Sequence, residues 1–114
     1  MTVKEMCESL CAAASDKKAR DIVIMNMQEV MSSADYFVIC SANTATQVRA
    51  IADNMEEVMD EAGIAFNHKE GYREGEWVLL DYGDVVAHVF MQEAREYYAL
   101  EHLWGDAELT PYEG

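Results

Sequence analysis

At 114 residues, 51% of them apolar, the chain suits one packed domain burying roughly two-thirds of its unfolded surface, and a disordered chain is excluded. Its 8 Lys plus Arg stand against 22 Asp plus Glu, a net charge of −14 that repels phosphate backbones. The basic residues are scattered and form no stripe, so direct DNA or RNA binding is excluded and a basic protein partner is favoured.

From the N-terminus, Val3, Met6, Cys7, Leu10, Cys11 and Ala14 recur at helical spacing within residues 2–19. Thr2 is placed to cap this helix, with Glu5 three residues on completing a capping box. Asp21–Met27 alternates loosely and reads as a strand, and Ser32-Ser33-Ala34 breaks the pattern. Asp35–Ser41 is dense in β-formers and almost uncharged, as a central strand buried on both faces would be. Asn43 or Thr44 caps the longest helix, which runs to about Ala62 and is stopped by Gly63. Its inner stripe is Val48, Ile51, Ala52, Met55, Val58, Met59 and Ala62, opposite a face of Asp and Glu.

Ile64–His68 reads as a short strand and Lys69–Gly75 as a polar loop punctuated by glycine. Trp77–Asp81 and Asp84–Phe90, joined at Tyr82-Gly83, form a β-hairpin. Ala94–Leu103 is helical, and Tyr97, Leu100, Leu103 and Trp104 share a stripe expected to dock on the sheet. The domain is expected to span 1–107, with 108–114 a mobile C-terminal tail. The order α-β-β-α-β-β-β-α predicts an α/β (α+β) fold, a mixed sheet of about five strands with helices packed on it.

Parity divides the hairpin, because side chains on a strand alternate between faces. Val78, Leu80, Val85, Ala87 and Val89 make one wholly apolar face, expected to be a core wall. Trp77, Leu79, Asp81, Asp84, Val86, His88 and Phe90 make the other, whose mixture of aromatic, acidic and imidazole groups suits a surface used by another molecule. For His88 two readings stand, a satisfied half-buried histidine and an interface residue. Asp81 and Asp84 bracket the turn, where Asx-type bonding is expected, more strongly from Asp84.

Catalytic patterns are scarce. Ser32-Ser33 before Asp35 is the arrangement of a nucleotidyltransferase strand, but the position for its second carboxylate is Phe37, and one carboxylate cannot build a two-metal site. Asp35 is therefore expected to cap or orient the start of its strand. His68, His88 and His102 do not fall at ligand spacing, and Cys7, Cys11 and Cys40 are odd in number and lie in apolar surroundings as reduced thiols. No phosphate loop is present, so no cofactor or metal is expected. No run approaches the roughly 18 apolar residues needed to span a membrane, and the N-terminus has no signal-peptide core and is too acidic for a transit peptide, so the expected location is cytoplasmic.

Asp35-Tyr-Phe-Val-Ile-Cys-Ser41, the hairpin Trp77–Phe90, and Arg95-Glu-Tyr-Tyr-Ala-Leu-Glu-His-Leu-Trp-Gly-Asp-Ala107 together resemble the Iojap-type ribosomal silencing factors, in order and with fitting spacing from Val3 to Ala107. Cys40 and Ala87 are mild departures from the family pattern. The resemblance implies a non-enzymatic translation regulator with a nucleotidyltransferase-like fold that lacks the catalytic carboxylates. It implies binding to the large ribosomal subunit through its basic ribosomal protein fourteen, occlusion of the small subunit when nutrients are scarce, and a homodimer when free. Carried over onto this chain, the partner-binding residues are Trp77, Leu79, Asp81, Val86, His88 and Phe90, with Tyr82, Tyr97 and Tyr98 at the rim. Two other readings are a metal-dependent nucleotidyltransferase, with Asp81 or Asp84 joining Asp35, and a module whose hairpin face only makes a homodimer.

Overall fold

In the computed structural model, which describes residues 1–113, the first helix (α1, Val3–Asp16) starts at the capping box expected of it. The Glu5 amide donates to Thr2 Oγ1 at 3.1 Å, and the Thr2 amide donates to Glu5 Oε1 at 2.8 Å. The buried side of α1 is Met6, Cys7, Leu10, Cys11, Ala13 and Ala14. Strands β1 (Arg20–Asn26) and β2 (Tyr36–Ala42) pair antiparallel, with an irregularity between Arg20 and Val23 where Asp21 takes a positive φ of 47°. Helix α2 (Ala45–Glu61) is capped by Thr44, whose hydroxyl accepts from the Gln47 amide, and it ends at Gly63, φ 78°.

The strand expected at Ile64–His68 lies later, as β3 (His68–Glu70). The chain leaving α2 must first cross to the sheet. The Asn67 amide donates to the Asp81 carbonyl at 2.7 Å, and pairing starts only at His68 opposite Asp81. Lys69 pairs with Glu56 and the Tyr72 hydroxyl donates to Asp53 at 3.0 Å, which fastens this segment to α2. Gly71 then turns the chain at φ 78°, where a Cβ would stand 1.9 Å from the Trp77 carbonyl oxygen, so only glycine fits. The hairpin follows as β4 (Trp77–Asp81) and β5 (Val85–Met91).

Strand β5 runs parallel to β2, from Tyr36 opposite Val85 to Ala42 opposite Met91, and the Asp84 carbonyl accepts from the Asp35 and Tyr36 amides. It is thus the Asp35 backbone that fixes the start of β2. The final helical segment is broken in two, α3 (Gln92–Tyr98) and α4 (Leu100–Leu103), by Ala99 at φ 44° and ψ 54°. The tail expected from residue 108 is not a free end in the structure. Glu108–Pro111 forms β6, antiparallel to β1, and the Tyr112 amide donates to the Ile22 carbonyl at 2.8 Å; Gly114 lies outside the described residues. Without β6 the outer backbone groups of β1 would form an open edge, and Pro111, which lacks an amide proton, is tolerated because β6 is itself the new edge. The mixed sheet therefore has six strands, in the order β3-β4-β5-β2-β1-β6, where about five were expected.

Each face of the sheet has its own core. On one side α1 and α2 cover Val78, Leu80, Val85, Ala87 and Val89, the wall that parity selected. On the other, Met25, Met27, Phe37, Ile39, Val86, Phe90 and Leu100 form a second cluster beneath Trp77, Leu79 and Trp104. Among the described residues no helix is long and apolar enough to cross a membrane.

Candidate partner-binding face

Hairpin register sets the mixed face in cross-strand pairs: Trp77 opposite Phe90, Leu79 opposite His88, and Asp81 opposite Val86. Such pairs touch directly. Accessibility is not shared evenly between the strands. Trp77, Leu79 and Asp81 on β4 are half-buried, whereas Val86, His88 and Phe90 on β5 are buried, Phe90 completely. The parity of the hairpin is as expected, but its β5 half is a floor and not a surface. The chain folds back over it after Met91, bringing Tyr98 within 4.8 Å of the Trp77 ring and 6.5 Å of the Phe90 ring, centroid to centroid.

Trp77 sits at the centre of an aromatic stack. Its ring lies 4.9 Å from Phe90, nearly parallel, and its indole N–H donates to His88 Nδ1 at 3.0 Å. His88 meets the edge of Phe37 at 4.5 Å. Because Nδ1 accepts, the neutral imidazole carries its proton on Nε2, which is buried without a hydrogen-bond partner. Burial alone drives the His88 pKa down to about 3. The histidine is therefore neutral in the folded protein and half-satisfied.

A pH dependence follows. The unfolded chain binds a proton at His88 below its ordinary value of 6.5, while the folded chain does not until about pH 3. Stability is complete above pH 6.5 and falls as pH drops through the interval between those values. Between pH 7 and pH 5 the loss should reach about 2 kcal/mol. Denaturant midpoints at the two pH values will show it, and His88→Gln, which keeps an acceptor for Trp77, should flatten the difference. An equal drop in both proteins would rule His88 out as the cause.

The outward surface is built largely by residues of the turn-back segment. Tyr97 is 82% exposed and Leu103 66%, and Tyr98 is exposed beside them in sequence. The single helical stripe expected from Tyr97, Leu100, Leu103 and Trp104 is split at Ala99, so that Leu100 goes into the core and Trp104 is half-buried. Leu103 is accordingly an exposed residue that the periodicity assigned to the inside. A shallow depression bounded by Glu76, Met91, Glu93, Ala94, Tyr97 and Tyr98 lies where α3 leaves the sheet. Glu76, Glu93 and Glu96 are exposed, and from residue 74 to 113 the sole Lys or Arg is Arg95, which is buried. The face is aromatic and aliphatic at its centre and acidic at its margins.

Tyr82 does not stand at this rim. It is buried in the helix-side core, and burial, with Glu56 and Asp60 nearby, raises its phenol pKa. Its even number places it with Val78 and Leu80, so parity already carried that signal. Asp81, not Asp84, makes the Asx bond: its Oδ1 accepts from the Gly83 amide at 2.7 Å. Cys7, Cys11 and Cys40 are buried free thiols, the first pushed up to about 11 and the others to about 12, chiefly by burial. Among the described residues no group of three or more His, Cys, Asp and Glu is placed to hold a metal.

Comparison with known proteins agrees across the chain. The family model described as "Ribosomal silencing factor during starvation" matches residues 1–113. Ribosomal silencing factor RsfS of Halalkalibacterium halodurans is 45% identical over 114 residues, covering 100% of this chain and 97% of that protein. RsfS of Bacillus subtilis is 47% identical over 110 residues, covering 96% and 93%. A crystal structure of a Chromobacterium violaceum protein superposes with a TM-score of 0.90 at 32% identity, covering 100% of this chain and 95% of that one. An acidic mixed-sheet protein whose matches run end to end in this way belongs to the ribosomal silencing factor family.

Proposed function

We propose that the protein is a non-enzymatic translation regulator that binds the large ribosomal subunit through its basic ribosomal protein fourteen and keeps the small subunit from joining. The observation that carries this reading is the exposed ridge of the pair Tyr97 and Tyr98 beside Trp77, with Glu76, Glu93 and Glu96 exposed at its margin and the one Lys or Arg between residues 74 and 113, Arg95, turned inside. A surface with aromatic anchors at its centre and charge at its edge is the make-up of a protein-binding site. Its sign suits a basic partner and repels exposed RNA. Trp77, Leu79, Tyr97 and Tyr98 make the contacts, Asp81 contributes to register at the hairpin end, and Val86, His88 and Phe90 support them from below. Free in the cytoplasm, the same apolar ridge pairs with a second copy as a homodimer, which the ribosome competes apart.

Sedimentation with purified subunits tests this directly. The protein should travel with the large subunit, not the small one, and should reduce the joined-ribosome peak when added before the small subunit. Because the margin is acidic, binding should weaken as salt rises through the range where the Debye length shrinks from about 10 Å toward 3 Å. Co-sedimentation with neither subunit, or undiminished joining at saturating protein, would count against it.

A further inference from the structure

One arginine is spent inside the protein, directly behind the ridge. Arg95 is 7% exposed. Its Nη1 donates to Ser41 Oγ at 3.1 Å and lies 3.4 Å from the Arg20 carbonyl oxygen, and its Nη2 donates to Glu101 Oε2 at 3.0 Å. Ser41 has no exposed surface, and its hydroxyl donates to Gln92 Oε1 at 2.9 Å. A single guanidinium thus joins the start of β1, the end of β2, α3 and α4. Arg20 lies at the irregular end of β1, where pairing passes from Arg20 opposite Ser41 to Val23 opposite Ile39.

The elements it joins cannot hold themselves. Helices of seven and four residues are far below the length that is stable alone in water. The corner between them is Ala99 in the left-handed region, a conformation that is unfavourable for any residue with a Cβ. Among the described residues, the Arg95–Glu101 bond is the ion pair that spans this corner. Burial stability alone does not call for an arginine here. A buried ion pair replaced as a pair by apolar groups of similar volume is often no less stable, whereas a methionine in place of Arg95 alone leaves Glu101, Ser41 and the Arg20 carbonyl without their donor. Such a methionine would not hold α4.

We propose that Arg95 is the positioning residue of the docking ridge: through Ser41 and Glu101 it sets the angle at which α3 and α4 present Tyr97, Tyr98 and Leu103 to the partner. This rests on the ridge being the docking surface. Four variants and two readouts test it, large-subunit affinity and the rate of native-state chymotrypsin cleavage at Tyr97, Tyr98 and Leu103. Arg95→Met should lose about tenfold in affinity and be cleaved several times faster at the ridge. Glu101→Ala should behave like it, and Glu101→Gln, which keeps an acceptor for Nη2, should restore both. Glu101 is at the surface side of the knot, its side chain 25% exposed, so this pair decides even if Arg95→Met is poorly folded. Wild-type affinity and cleavage in Glu101→Ala would overturn the assignment. Loss of affinity in Trp77→Ala with retention in Glu101→Ala would overturn the positioning role alone. Retention in both would overturn the docking reading with it.

Discussion

Trp77→Ala should lower large-subunit affinity by about a hundredfold or more while leaving a folded protein. Truncating a central aromatic anchor typically costs about 2–4 kcal/mol of binding, and about 2.7 kcal/mol corresponds to that factor. The indole is half-buried, resting on Phe90 below and Tyr98 beside it, so its remaining surface faces outward. Folding has less to lose. The substitution strips a stacking partner from Phe90 and the donor from His88 Nδ1, a loss of about 1–3 kcal/mol against a usual reserve of about 5–15. Trp77→Phe separates the contributions: it retains the stack and most of the outward area, and should recover most of the binding while still lacking the N–H. Sedimentation alongside a denaturation curve measures both quantities on the same samples. Binding by a folded Trp77→Ala protein within about threefold of wild type would remove Trp77 from the interface.

Much of this site was legible in the hairpin, because β-strand parity is rigid and the turn is unambiguous. The helix-side wall of Val78, Leu80, Val85, Ala87 and Val89 follows from parity alone, and so does the cross-strand neighbourhood of Trp77, Leu79 and Asp81. Parity cannot say what covers a face. The burial of His88 and Phe90 depends on α3 and α4 folding back, and that depends on a left-handed corner at Ala99. An alanine gives no such signal, since the residues that mark this conformation are glycine and asparagine. Uninterrupted helical periodicity therefore placed Leu103 inside, beside Leu100.

The sixth strand was hidden for a different reason. Glu108-Leu-Thr-Pro111 is short, exposed throughout and carries a proline, which locally describes a loop. It becomes a strand only because β1 offers an unpaired edge, a tertiary fact absent from the segment itself. Arg95 shows the same limit. Nothing in its sequence neighbours, Tyr97 and Tyr98, signals burial, whereas Ser41, 54 residues away along the chain, turns it inward. In each case what was missed is a long-range contact, and what was read correctly is a local pattern.

Phe90 separates the two views of the face most sharply. If the whole odd-toned face of the hairpin met the partner, Phe90 and Trp77 would respond alike to truncation. In the structure Phe90 has no exposed surface and belongs to the cluster with Met25, Ile39, Val86 and Leu100. Phe90→Ala should therefore cost about 3–5 kcal/mol of stability, from lost transfer energy together with the cavity left under Trp77. A loss of that size brings a domain of this length close to unfolding at ordinary temperatures. Phe90→Leu leaves a smaller void and should fold with a modest loss. Its affinity for the large subunit should remain within about threefold of wild type, because the ring has no exposed surface and Trp77 still has a floor to rest on. Denaturation midpoints rank the three proteins as wild type, Phe90→Leu, Phe90→Ala; sedimentation should rank Phe90→Leu with wild type and Trp77→Ala far below both. A well-folded Phe90→Leu that loses binding as severely as Trp77→Ala would move Phe90 from the floor into the interface, and would require the α3–α4 segment to lift away when the partner docks.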